Sequence, residues 1–173
     1  MVLERLFAEC FTQGFATRLV GGAEEPLYLP AEAEGQLHCI FYRQDFFASA
    51  LHEVAHWCIA GAVRRTQVDY GYWYAADGRN RDQQHDFDRV EVKPQAIEWH
   101  FALAACHPFR ISNEKLSQQA SSSGQFAASV AQQAGHYCQS GLPERAEQFR
   151  QRLAGHFGGV LRPAPALFET VAQ

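Results

Sequence analysis

Several features that mark membrane, secreted or nucleic-acid-binding proteins are missing from this 173-residue sequence. No apolar run is long enough to span a bilayer, and Glu4 and Arg5 interrupt any signal-peptide core at the N-terminus. Positive charge is not in excess either, because 19 acidic residues outnumber 15 basic ones. We therefore expect a cytoplasmic protein that makes no direct contact with membranes or nucleic acid.

Paired cysteines are also missing. The five cysteines are odd in number, widely spaced and never arranged as Cys-x-x-Cys. This pattern argues against a disulfide framework and against a zinc knuckle, so we expect the cysteines to be small buried side chains in a reducing compartment.

The residues that are present predict one α+β domain over 1–173, predominantly helical, with a small β-sheet packed on a central helix. Hydrophobic residues make up 47% of the chain, enough for a substantial core. Apolar periodicity predicts helices at 2–15, 48–63, 90–106, 125–137 and 143–157, and strands at 27–29 and 38–42. In this scheme Ser49 is the N-cap of the second helix, and Pro94 lies in the first turn of the third.

Four connecting segments are expected between or after these elements. An extended aromatic stretch covers 68–74, a charged loop or lid covers 77–89, and a polar linker covers 117–124. The C-terminal tail, which contains Pro163 and Pro165, is expected to lie against the surface.

The most informative segment is His52-Glu53-Val54-Ala55-His56. On a helix a four-residue step turns about 400°, which places the two imidazoles one turn apart on one face, where they can share a metal ion. Glu53 points to a neighbouring face, where it can accept a proton from a metal-bound water or orient a ligand. The segment therefore predicts a metal site with Glu53 as its candidate catalytic residue.

A third protein ligand is required, and Glu91 is the best candidate. It begins the next predicted buried helix, and Gln95, four residues later on the same face, is expected to brace it. Glu98 is the rival one turn further along. His85, Asp86 and Asp88 in the charged loop are further possible ligands.

Blocks of sequence around these residues resemble the bacterial elongation factor P hydroxylase family. The blocks are EPLYLPA (25–31), HEVAHWCIAG (52–61), DYGYWY (69–74), DGR (77–79) and VEVKPQA (90–96). The resemblance implies a non-haem iron enzyme that uses dioxygen to hydroxylate the β-lysylated lysine of elongation factor P. It also implies that His52, His56 and Glu91 bind the metal, with Fe(II) as the native ion and zinc a possible occupant of purified protein.

The implied substrate side chain carries two ammonium groups, which favour aromatic faces and carboxylates. Tyr70, Tyr72, Tyr74 and Asp77 are the candidate substrate-binding residues, although an aromatic strand can equally serve as core packing.

Two other functions remain open from the residues alone. The same ligands suit a zinc hydrolase or peptidase in which Glu53 is the general base. A structural metal site in a binding module is the third reading of the histidine motif.

Overall fold

Five α-helices and three short β-strands form the regular structure of the described part of the chain. The computed structural model describes residues 2–71, 81–112 and 120–171, with side chains in these ranges except at 81–88, 120–123 and 169–171. In chain order the elements are α1 Val2–Phe15, β1 Thr17–Ala23, β2 Leu27–Leu29, β3 His38–Arg43, α2 Phe47–Ile59, α3 Arg81–Ala104, α4 Ala120–Ser140 and α5 Glu144–Phe157. Short 3-10 segments lie at Arg64–Thr66, Val68–Gly71 and Pro165–Val171. The expected α+β, mainly helical architecture is confirmed.

The three strands form one sheet in the order β1-β3-β2. Strand β3 is central and pairs parallel with β1 and antiparallel with β2, so that Ile40 lies between Leu19 and Tyr28. The sequence predicts only β2 and β3. Strand β1 escapes prediction because Gly21 and Gly22 weaken its strand signal, yet Gly21 is needed since a Cβ there would overlap the Tyr42 hydroxyl.

Helix α2 packs against β3 of the sheet, as the sequence predicts for the helix that carries the two histidines, and it also packs against helix α3. Its Trp57 side chain is fully buried among aromatic rings of α1, with the Phe7 and Phe11 centroids 5.2 and 4.8 Å away. Phe149 of α5 contacts the same two phenylalanines. This aromatic cluster fixes α2 against the rest of the core.

Both ends of α2 differ from the prediction. The N-cap residue is Phe46, without a side-chain cap, and the Ser49 hydroxyl instead accepts a hydrogen bond from the Arg43 amide. At the other end Arg145 donates to the carbonyl oxygens of Trp57, Cys58 and Ala60, all within 3.0 Å. The helix ends at Ile59 rather than at residue 63, because a guanidinium binds the carbonyl groups that a further turn would have used.

Helix α3 begins nine residues before the predicted start, so the expected loop over 77–89 is wrong for 81–89. No proline or glycine interrupts the chain between Gly78 and Pro94, and charged side chains alone do not prevent a helix. Pro94 consequently lies in the helix interior instead of the first turn. It removes one backbone hydrogen bond, and its ring is buried.

Two further expectations need correction. Residues 68–71 form a 3-10 turn with positive φ at Asp69 and Tyr70, not an extended strand, while 72–74 lie outside the described residues. Helix α4 begins at Ala120, inside the expected linker. None of the helices in the described ranges is long and apolar enough to cross a membrane.

The C-terminal segment is part of the core rather than a surface tail. Phe168 is 1% exposed and meets the Trp99 ring edge-on, with centroids 4.8 Å apart. With Ala96, Val130 and Ala134 these residues form a second apolar cluster between α3 and α4. Burial in this cluster removes the Phe168 ring from water, which stabilises the C-terminal segment against α3 and α4.

Two glycines near the C-terminal end of α5 provide a test of how this end packs: Gly155 lies within the helix and Gly159 lies just beyond it. A Cβ on Gly159 would overlap the backbone carbonyls of Leu103 and Ala104, whereas a Cβ on Gly155 meets nothing. We expect Gly159→Ala to lower the free energy of unfolding by about 2 kcal/mol or more, and Gly155→Ala to raise it by about 0.5 kcal/mol. Urea denaturation of both variants measures this, and equal stabilities would contradict the placement of the α5 C-terminus.

Buried His100 provides a second test, through pH. Its Nε2 donates to the Ala134 carbonyl at 3.0 Å, and burial lowers its pKa from 6.5 to about 4. The unfolded chain takes up the proton first on acidification, so stability falls as pH drops from about 6.5 towards 4, by up to about 3 kcal/mol. The His100→Gln variant lacks this titrating group, so its stability should not fall for this reason. As the pH drops from about 6.5 towards 4, the free energy of unfolding of the wild type should therefore approach that of the variant. A constant difference would contradict a neutral buried histidine.

Candidate metal centre

Helix α2 places the two predicted histidine ligands side by side. His52 and His56 lie one turn apart, and their Nε2 atoms are 3.0 Å from each other. Both side chains are mostly buried, with 21% and 11% of their surfaces exposed. Because Leu51, Val54 and Ala55 anchor α2 in the core, the imidazoles have little freedom to separate.

Helix α3 adds the carboxylate. Glu91 is 5% exposed, and its Oε2 and Oε1 atoms lie 3.4 Å from Nε2 of His52 and 3.2 Å from Nε2 of His56. One potential ligand atom from each of the three residues therefore lies within 4.8 Å of the others. The structure thus brings together the three residues that the sequence nominates as ligands.

The charged groups of this cluster shift one another's pKa values. Burial opposes protonation of His52, but hydrogen bonds and charge from Glu91 and Glu98 outweigh it and raise the pKa of His52 well above its ordinary value. Burial likewise opposes ionisation of Glu91, yet the positive charge and hydrogen bonds of the two histidines lower the pKa of that carboxyl. The cluster therefore holds an ionised carboxylate in a buried position, which requires positive charge beside it.

The spacing of these atoms fits a bound divalent cation. Two ligands bonded at about 2.1 Å and separated by 90° to 110° at the metal lie about 3.0 to 3.4 Å apart. The two Nε2 atoms, 3.0 Å apart, have this spacing. Glu91 faces them with different oxygens, since Oε2 lies 3.4 Å from Nε2 of His52 and Oε1 lies 3.2 Å from Nε2 of His56. Two imidazoles and one carboxylate are also a donor set that binds both Zn²⁺ and Fe²⁺.

Gln95 and Glu98 of α3 do not make the contacts that the sequence predicts for them. Gln95 does not brace Glu91, because its amide exchanges two hydrogen bonds with the backbone of Ser112, at 2.7 and 3.1 Å. Glu98, the rival ligand, bonds Nδ1 of His52 at 2.8 Å, on the ring edge away from the cluster. The side chains of His85, Asp86 and Asp88 lie outside the described part of the structure.

Glu53 is half-buried on α2 between the two histidines in sequence. Burial raises the pKa of its carboxyl; the nearby charges of His52 and His56 lower it without cancelling the rise. A carboxyl group with a raised pKa is suited to accept or release a proton closer to neutral pH.

The candidate substrate residues are only partly described. Tyr70 is 5% exposed and stacks on Tyr28, with ring centroids 4.4 Å apart. Its turn is held by Asp69, whose Oδ1 accepts a hydrogen bond from the Tyr28 amide. The Tyr70 ring is therefore core packing, while its hydroxyl has no hydrogen-bond partner in the described residues. Tyr72, Tyr74 and Asp77 lie outside the described ranges.

A cleft beside His56 was not foreseen from the sequence. It has a volume of about 570 Å³, and its described lining includes the basic side chains Arg64, Arg89 and Lys93. Arg89 and Lys93 are four residues apart on α3, a spacing that places them on one helix face and that could have revealed the pair.

Fold and site together define a small α+β protein with a two-histidine, one-carboxylate cluster between two packed helices. A family model described as elongation factor P hydroxylase matches residues 6–164. A Haemophilus influenzae protein named elongation factor P lysine hydroxylase is 43% identical over 152 residues, which cover 88% of this chain and 85% of that relative. The chain belongs to the elongation factor P hydroxylase family, which confirms the resemblance of its sequence blocks.

Metal binding by the cluster can be tested ligand by ligand. We expect one Co²⁺ or Zn²⁺ per chain, and His52→Ala, His56→Ala and Glu91→Ala should each weaken binding by about 100-fold or more, because each removes one of three donors. Isothermal titration calorimetry measures the affinities. Exposed His156→Ala and Glu32→Gln are the matched controls, and Glu91→Ala with wild-type affinity would remove Glu91 from the site.

Proposed function

We propose that this protein hydroxylates the β-lysylated lysine of elongation factor P, and that it does so with ferrous iron bound by His52, His56 and Glu91. The observation that carries the proposal is the buried cluster of these three side chains in a chain of the elongation factor P hydroxylase family. The reaction would take place in the cytoplasm, where elongation factors work.

The donor set supports iron as well as zinc. Two histidines and one carboxylate are the protein ligands of many non-haem Fe(II) oxygenases, and bound iron would supply the activation of dioxygen. Insertion of one oxygen atom into a C–H bond, with the second released as water, consumes two electrons and two protons. An external reductant must supply the electrons.

The chain's own side chains have distinct tasks in this reaction. His52 and His56 present neutral nitrogen donors from one rigid helix, and Glu91 brings the negative charge that favours a dication over two protons. Glu53 is the proton carrier, because it lies between the two histidines in the sequence, their charges act on its carboxyl, and its pKa is raised.

The substrate side chain approaches the site away from the basic cleft. Its ammonium groups would be repelled by Arg64, Arg89 and Lys93, which line the cleft beside His56. Tyr72, Tyr74 and Asp77 follow directly on the turn that contains Tyr70, and we retain them as the substrate-binding residues. Their aromatic faces and carboxylate are complementary to an alkylammonium chain.

A zinc-dependent hydrolase is the second candidate function. It is favoured by the His-Glu-x-x-His arrangement itself and by the raised pKa of Glu53, since a general base in that position activates water in zinc peptidases. A hydrolase would require Glu53 as its general base and would not act on elongation factor P, whereas the hydroxylase requires elongation factor P as its substrate.

Mass spectrometry of lysylated elongation factor P tests the proposal directly. The protein is loaded with Fe²⁺ without oxygen, mixed with a reductant and the substrate, and exposed to air. We expect a gain of one oxygen atom with wild type and with His156→Ala, and a loss of at least about 100-fold in rate with His52→Ala, His56→Ala or Glu91→Ala. No oxygen gain with any reductant would contradict hydroxylation.

Glu53→Gln separates the two chemistries. If the protein hydroxylates, this variant should still bind metal and retain a reduced but measurable oxygen gain, because the carboxyl only carries protons. Assays of hydroxylation and of amide hydrolysis, run in parallel on the zinc and iron forms, measure this. Hydrolysis by the zinc form that disappears in Glu53→Gln would support the hydrolase instead.

A further inference from the structure

The imidazole of His52 lies between two carboxylates that come from the same helix. Its Nε2 faces Glu91 Oε2 at 3.4 Å, and its Nδ1 is 2.8 Å from Glu98 Oε2. The second distance is that of a short, charge-assisted hydrogen bond. His52 is thus held at both ring nitrogens.

Helix geometry explains how both carboxylates reach one ring. Positions 91 and 98 are seven residues apart, which is close to two turns and returns the side chain to the same face of α3. Helix α2 packs against that face, and the His52 ring lies between the two acidic side chains. Glu98 is 4% exposed, so its charge has little access to water and depends on this contact.

A carboxylate at Nδ1 determines which nitrogen carries the proton. An ionised carboxylate only accepts hydrogen bonds, so Nδ1 of His52 must be the donor. The lone pair of the neutral ring is then on Nε2, which points to His56 and Glu91. Partners of this kind orient metal-binding histidines and make them better donors.

We propose that Glu98 is a positioning residue that holds His52 with Nδ1 protonated and Nε2 directed at the metal. The inference rests on the metal centre of the proposed function. In this arrangement Glu98 does not bind the metal itself, because its carboxylate contacts Nδ1 of His52 while the ion would bind at Nε2.

Three substitutions at position 98 and one control test this role. Glu98→Ala and Glu98→Leu both remove the acceptor, and leucine also fills the space, which protects the fold. Glu98→Gln keeps an acceptor oxygen without the charge. Gln95→Ala is the control, because Gln95 is 1% exposed on the same helix face but bonds Ser112 and neither histidine.

The first measurement is Zn²⁺ affinity by competition with a chelator. We expect Glu98→Ala and Glu98→Leu to weaken binding by about 10- to 100-fold, and Glu98→Gln by less, because the amide oxygen still accepts the Nδ1 proton. Gln95→Ala should bind zinc like wild type even if it unfolds more easily. Wild-type affinity in both Glu98→Ala and Glu98→Leu would overturn the inference.

The second measurement is the NMR signal of the His52 Nδ1 proton in the zinc-loaded protein. We expect a downfield, slowly exchanging signal in wild type, Gln95→Ala and Glu98→Gln, and rapid exchange in Glu98→Leu. An unchanged signal in Glu98→Leu would overturn the role of Glu98 alone. Absence of zinc binding by wild type would instead overturn the metal centre of the proposed function, and this inference with it.

Discussion

The contact between α2 and α3 is the constraint on which the site depends, because it holds two imidazoles against a buried carboxylate. The Glu91 carboxylate has lost most of its hydration, and His52 and His56 face it within 3.4 Å. Such a group is stable only beside positive charge, supplied by protons on the imidazoles or by a metal ion. Because it has lost this hydration, the Glu91 carboxylate would destabilise the fold if no positive charge lay beside it. The same loss of hydration makes the site favour a cation. The packing of α2 against α3 keeps the two imidazoles and the Glu91 carboxylate in contact.

The remainder of the fold keeps α2 from moving. Trp57 is enclosed by Phe7, Phe11 and Phe15, and the Arg145 guanidinium lies 4.7 Å from the Trp57 ring while it binds the last carbonyls of the helix. Strand β3 of the sheet also packs against α2. These contacts oppose both sliding and rotation of α2. The spacing of the two imidazoles is therefore fixed by buried contacts of the helix.

Local patterns predicted the elements that carry strong periodic signals, but not the features that depend on tertiary contacts. Helix α1 has its predicted bounds, and the helix with the two histidines was expected to pack on the sheet, as it does. The place of Glu91 at the start of a predicted buried helix makes it the predicted third ligand. The sequence does not predict strand β1, because its glycines weaken the local signal and the strand forms by pairing with β3. It predicts too late a start for α3, because the charged residues before position 90 favour a loop when they are considered locally. The contact of Glu98 with Nδ1 of His52 joins residues 46 positions apart, which no local pattern reveals.

The central claim is that one metal ion is bound between α2 and α3 by His52, His56 and Glu91. Diffraction at the iron absorption edge, from crystals grown with Fe²⁺ in the absence of oxygen, tests it most directly. The account predicts one anomalous peak within bonding distance of both Nε2 atoms and a Glu91 oxygen, with Glu98 still on Nδ1 of His52. A peak bonded to Glu98, or located away from the two histidines, would contradict it.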